Sequence, residues 1–160
     1  MLSIDACPYS RLLFLMCKRP AAKAVRKPGF RSVYLFRRMR NFDIQFPRLN
    51  YMFPMIFVKG TGDRRYMFGS DLKLNIYIDD FFLSAYTVTQ QVWEYLINHN
   101  PASAKGIHRP ADTVSYNDIT SDGGFLTRLN ALPEIKESLP AKLEFRLPSE
   151  TEWEYAARGG

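Results

Sequence analysis

Between Tyr51 and Gly160 apolar and polar positions alternate in short blocks, and the blocks read as brief strands, turns and short helices. Residues 55–59 (MIFVK) form an apolar run of strand length, closed by Gly60 and Gly62. Residues 74–83 (LNIYIDDFFL) alternate well enough to predict a strand that enters a turn at Asp79 and Asp80. The period then lengthens: Val92, Trp93 and Leu96 fall on one side of a helix predicted from Gln90 to about Asn98. Thr89 is placed to cap it, and Pro101 to stop it by disfavouring helical geometry in the residue before it.

Ser115 and Asp118 make a weaker start signal, because Asp is shorter than the Glu or Gln of a full capping box. Gly123 and Gly124 predict a break soon after, with a second helical piece over residues 125–132 and a loop between Pro133 and Pro140. The last helix has the clearest start. Ser149 and Glu152 form a full capping box, Glu150, Glu152 and Glu154 lie toward the positive end of the helix dipole, and Arg158 lies toward the negative end. Gly159 then supplies a left-handed residue after the helix.

Charge divides the chain where the hydrophobic pattern does. Residues 1–50 hold 11 Lys and Arg against two acids, whereas residues 51–160 hold 11 bases against 14 acids. The basicity of the whole, a net +6, therefore belongs to the first fifty residues. The remainder gives no electrostatic reason to expect nucleic acid as a partner. Residues 1–50, with prolines at 8, 20, 28 and 47, read as a basic leader outside the folded domain, with Met39 or Met52 as alternative starts. Two other readings of the leader are weaker. The apolar run 12–17 is short for a signal peptide and is followed by Lys18 and Arg19. The cluster Phe30, Tyr34, Phe36, Arg37, Arg38 and Arg40 shows no organised face for a membrane or nucleic acid. No run approaches the ~20 apolar residues of a membrane span, so the expected compartment is the cytoplasm by default.

Candidate chemistry is sparse. Cys7 and Cys17, the two cysteines, match no metal spacing, and His99 and His108 have no ligand partners at suitable intervals. Glu150 and Glu154 share a helix face while Glu152 points elsewhere, so capping and dipole effects account for the three better than paired-carboxylate catalysis or metal binding. Ser84, Ser115 and Ser149 lack a nucleophile-elbow context, and Gly60-Thr61-Gly62 lacks the rest of a phosphate loop. No residue is assigned a catalytic, cofactor-binding or metal-binding role.

The string FRLPSETEWEYAARGG at residues 145–160 resembles the signature of the formylglycine-generating enzyme, or sulfatase-modifying factor, family. Three weaker motifs stand in that family's order: MIFVKG with YMFGS (residues 55–70), DDFFLSAYTVTQQVWEYL (79–96) and VSYNDI (114–119). Thr87 and Tyr116 depart from the family's usual Glu and Trp, and residues 121–124 break a helix ordinarily continuous, which marks a divergent branch.

The resemblance implies an α+β, C-type-lectin-like fold, with residues 52–160 as the N-terminal part of the domain. It implies a family that oxidises a sulfatase cysteine to formylglycine with oxygen and a copper ion held by a cysteine pair. That pair, a tryptophan-rich motif and calcium-binding loops belong to the family's C-terminal half. This chain is expected to lack that half and its activity, to hold neither copper nor calcium, and to meet a sulfatase-type substrate only if completed. The alternative is a non-catalytic, lectin-like binding or structural module.

Overall fold

The computed structural model describes residues 13–18, 41–69, 74–139 and 143–160. Its centre is a five-stranded sheet, antiparallel at every pairing, made from β1 (Met16–Lys18), β2 (Phe42–Phe46), β3 (Tyr51–Val58), β6 (Phe81–Ser84) and β7 (Glu144–Arg146) in the order β2-β3-β6-β1-β7. A separate ribbon pairs β4 (Tyr66–Phe68) with β5 (Leu74–Ile76). Among the described residues five α-helices pack around this sheet, four before β7 and one after it: α1 (Gln90–Ile97), α2 (Tyr116–Thr120), α3 (Phe125–Ala131), α4 (Pro133–Ser138) and α5 (Glu150–Ala157). The molecule is an α+β fold. Among the described residues no helix is long and apolar enough to cross a membrane.

Strand alternation decides which face each residue takes. In β3, Phe53 and Met55 are buried while Met52 and Ile56 are exposed. Together with Leu15, Cys17, Ile44, Phe82 and Phe145 they meet the helices in one core, where Val92, Trp93, Leu129 and Ile135 close the other side. Trp93 stacks on Phe125 with centroids 5.0 Å apart, tying α1 to α3. A smaller cluster on the opposite face joins Met16, Ile78 and Phe81 to Tyr155 of α5.

Several expectations are corrected. Two stretches of the basic leader, residues 13–18 and 41–50, belong to the folded body: β1 is an interior strand and β2 an edge strand of the main sheet. The apolar residues 13–17 thus run into an interior strand, with Leu13, Leu15, Met16 and Cys17 buried, because a continuous apolar run suits a position covered on both faces. Cys7, Met39 and the cluster from Phe30 to Arg40 lie outside the described residues. Residues 74–83 form two strands in two sheets, not one. Between them, the Thr61 amide donates to the Ile78 carbonyl at 2.9 Å, and the Ile78 amide donates to Thr61 Oγ1 at 3.1 Å. The Gly60 amide donates to Asp80 Oδ1 at 2.8 Å, so the turn is held by the loop after β3. A side chain on Gly60 would collide with the backbone of Ile78 and Asp79, which is why glycine closes that strand.

Helix starts differ in the same way. Thr89 makes no side-chain cap, and its hydroxyl is buried without a hydrogen-bond partner among the described residues. The cap is dispensable because the first amides of α1 donate instead to a crossing loop, Gln90 to the Arg109 carbonyl at 2.8 Å and Gln91 to that of Ile107 at 3.1 Å. Ser115 and Asp118, read as a weak signal, form a complete capping box. Pro133 opens α4 rather than a loop, since proline at the first helical turn removes only an amide that would lack a partner there.

Candidate functional site

The signature segment builds its own site from the residues up. β7 delivers Arg146 to the sheet edge, Pro148 follows, and Ser149 caps α5. The Ser149 hydroxyl accepts from the Glu152 amide at 3.3 Å, and the Glu152 carboxylate accepts from the Ser149 amide at 3.0 Å. One guanidinium nitrogen of Arg146 reaches both carboxylate oxygens, at 2.7 and 2.9 Å, and Lys18 Nζ of β1 approaches at 3.3 Å. Burial alone would push this carboxyl up. The donors from Arg146 and Ser149 outweigh burial and hold it at about 2, so Glu152 is a fixed anion joining β7, β1 and α5.

Glu154 serves the other flank. It accepts from the Tyr66 hydroxyl at 2.7 Å and pairs with Arg158 one turn on at 3.1 Å. Tyr66 meets Tyr155 edge-on at 5.0 Å, and the Tyr155 hydroxyl donates to the Lys59 carbonyl at 3.0 Å. The helix ends in a Schellman arrangement: the Gly159 amide donates to Ala156 and the Gly160 amide to Tyr155, with Gly159 at φ +95. Glu152 and Glu154 thus hold structure together, as the spacing implied, and Glu150 is exposed.

Beside this helix lies an open cleft of about 950 Å³ between residues 56–66 and the C-terminal end of α5. Lys59, Arg64 and Arg65 supply cations around it against Asp63, and Arg65 lies over the Tyr77 ring at 5.3 Å. These groups are donors and cations, suited to holding an anionic or carbonyl-rich segment rather than moving a proton. A smaller groove of about 350 Å³ between α1 and the α2–α3 turn contains His99, Asp118 and Asp122. Its Arg128 is committed to the carbonyls of Gly123 and Leu96, at 2.8 and 3.0 Å. His108 approaches the Gln91 side chain at 3.5 Å, far along the same loop.

The thiol chemistry is restricted by burial. Cys17 sits fully buried in β1, and desolvation, with the Glu144 charge second, pushes its thiol up to about 12. Cu(I) needs thiolates, and a neutral thiol in the middle of a sheet is a poor ligand for it, so Cys17, which also precedes the family-matched residues, does not fit the role of a copper ligand. Among the described residues no three His, Cys, Asp or Glu side chains converge where a metal could be held.

Three site features escaped the sequence reading: Lys18 on Glu152, Tyr66 on Glu154, and Gln90 as a buried polar hub. The Gln90 side chain donates to the carbonyls of Ala104 and Pro110 and accepts from Asn100 and the Gly106 amide, at 2.9 to 3.2 Å. A glutamine at the first position of an otherwise apolar helix face was the one available signal.

Residues 54–160 match the family model described as a sulfatase-modifying factor enzyme 1-like domain. A curated relative named Chaperone protein LppX, from Paenibacillus barcinonensis, is 29% identical over 108 residues, covering 54% of this chain and 39% of its own length. The chain therefore spans well under half of that relative. No solved structure matches.

Proposed function

This chain belongs to the sulfatase-modifying factor enzyme 1-like domain family, and from that premise we propose that its residues furnish scaffold and binding surface, not oxidation chemistry. The family's conversion of a sulfatase cysteine to formylglycine calls for a pair of thiolates on copper. The observation that carries the reading is the state of Cys17: buried in an interior strand, pushed up to about 12, and followed by no other cysteine through Gly160. The antiparallel sheet with helices on its flanks is compatible with the lectin-like architecture that the resemblance implies. Nucleic acid has no place in this reading, because the family-matched part is mildly acidic.

The test is incubation of the full chain with copper, oxygen and a Cys-x-Pro-x-Arg peptide, read by mass spectrometry. The expected result is an unchanged peptide. A single turnover above a no-protein control overturns the proposal.

A second reading, a non-catalytic module that binds extended polypeptide, is favoured by the cation-lined cleft next to α5 and by the similarity to a protein named as a chaperone, LppX. It predicts that the full chain suppresses aggregation of a denatured client at near-stoichiometric ratio, and that replacing Arg64 and Arg65 by Ala removes the effect. Equal suppression by the variant would discard the cleft as the binding surface.

A further inference from the structure

The strand between β6 and β7 comes from outside the family-matched residues. The match begins at residue 54, yet two strands inside it, β6 and β7, do not pair with each other; β1 lies between them and pairs with both. Without β1 each would present an open row of amides and carbonyls beneath the main core. We propose that the slot between β6 and β7 is a strand-binding site, that residues 13–18 are its intrachain ligand, and that a separate peptide of the same sequence can occupy it.

The slot reads its occupant in three ways. The first is the main chain on both sides: Met16 lies opposite Leu83 and Arg146, and Cys17 opposite Phe82 and Phe145. The entry is fixed as well. The Val88 amide donates to the Leu13 carbonyl at 2.8 Å, the Ser84 amide to the Leu15 carbonyl at 2.9 Å, and the Leu15 amide to Ser84 Oγ at 3.0 Å.

The second is side-chain alternation. Leu13, Leu15 and Cys17 enter the main core, whereas Met16 enters the smaller cluster under Tyr155. A strand slipped by one residue would exchange these sets, so the register is specified from both faces.

The third is charge. Lys18 Nζ lies 3.3 Å from Asp79 and 3.3 Å from Glu152, so a cation at the end of the strand is recognised by the signature helix itself. The ligand class follows: an extended hexapeptide, apolar on both faces, with a small residue at its fifth position and a Lys at its sixth. The inference concerns how the sheet is completed and is independent of whether the chain is an oxidase.

The test uses the full chain carrying Leu15→Asp, which places a charge in the core and disables the resident strand, with a fluorescent peptide of residues 13–18 bearing a soluble tail. Anisotropy is expected to show capture by the variant at least tenfold tighter than by the unaltered chain, whose slot is filled. The peptide is also expected to restore a cooperative thermal transition. A peptide with Lys18→Ala is expected to bind about tenfold more weakly, and a scrambled peptide not at all. Equal binding of matched and scrambled peptides overturns the proposal. So does failure of the matched peptide either to bind a folded variant or to restore an unfolded one.

A milder variant gives an independent readout. In a Cys7→Ser background, Lys18→Ala is expected to speed labelling of Cys17 by a thiol reagent about tenfold while the unfolding rate stays unchanged. Labelling that keeps pace with unfolding in both proteins overturns exchange of the strand.

Discussion

Glu152 is a side chain on which three elements depend, and its ionisation ties stability to pH. Its folded carboxyl lies at about 2 against an ordinary 4.5, a difference of about 3 kcal/mol in favour of the charged folded form. Because the folded value is depressed, that stability is fully present above about pH 4.5 and is lost as pH falls from there toward 2. Urea unfolding of the full chain between pH 7 and 3 is expected to show this loss, and Glu152→Gln to be less stable at pH 7 and flatter below pH 4.5. An unchanged acid limb in the variant would show that other carboxylates carry the dependence. The capping role of this residue was legible in the sequence, since Ser149 and Glu152 stand three apart before a short helix. Its ion pairs were legible only in part: Arg146 lies close along the chain, but Lys18 is 134 residues away, and no local pattern announces such a contact.

At the scale of elements, α1 shows how a helix start can be supplied by a distant loop in place of its own cap. The carbonyls of Ile107 and Arg109 take the first amides, and the Gln90 side chain holds the loop in place through four hydrogen bonds. Replacing Gln90 by Leu leaves two donors and two acceptors without their partner in a half-buried setting, at a cost of about 2–4 kcal/mol. The expected outcome is a lower melting temperature together with lost hydrogen-exchange protection at the Gly106 amide. Gln91→Leu, whose neighbour is the exposed His108, should stay within about 0.5 kcal/mol of the unaltered chain. If both variants behave alike, the hub does not anchor the loop. Periodicity located α1 well because three large apolar residues mark its face. It does not mark α4, because Pro133 and Pro140 read equally as loop punctuation and proline in the first turn is also a helix start.

The whole molecule shows why the domain cannot be cut where the charge pattern changes. Leu13, Leu15, Met16 and Cys17 of the β1 segment and Ile44 and Phe46 of β2 are all buried, and all precede residue 52. At about 1.5–3 kcal/mol for each large apolar side chain, their combined burial rivals the roughly 5–15 kcal/mol that separates folded from unfolded domains. Composition hid this, since eleven basic residues dominate the segment and a three-residue ladder carries too little pattern to stand out among them. The signature motif, by contrast, identified the family correctly because it is contiguous and its capping chemistry is local. A chain restricted to residues 52–160 keeps the signature and α1 to α5 but loses β1 and β2, leaving one flank of β3 and the facing edges of β6 and β7 unpaired. It is expected to retain far-ultraviolet helical signal, to lose its near-ultraviolet spectrum, to bind a hydrophobic dye and to melt without a sharp transition, whereas the full chain melts cooperatively. A cooperative melt of the shorter chain with the near-ultraviolet spectrum of the longer one would mean that the family-matched residues fold by themselves. The two leader strands would then be additions to a fold already closed.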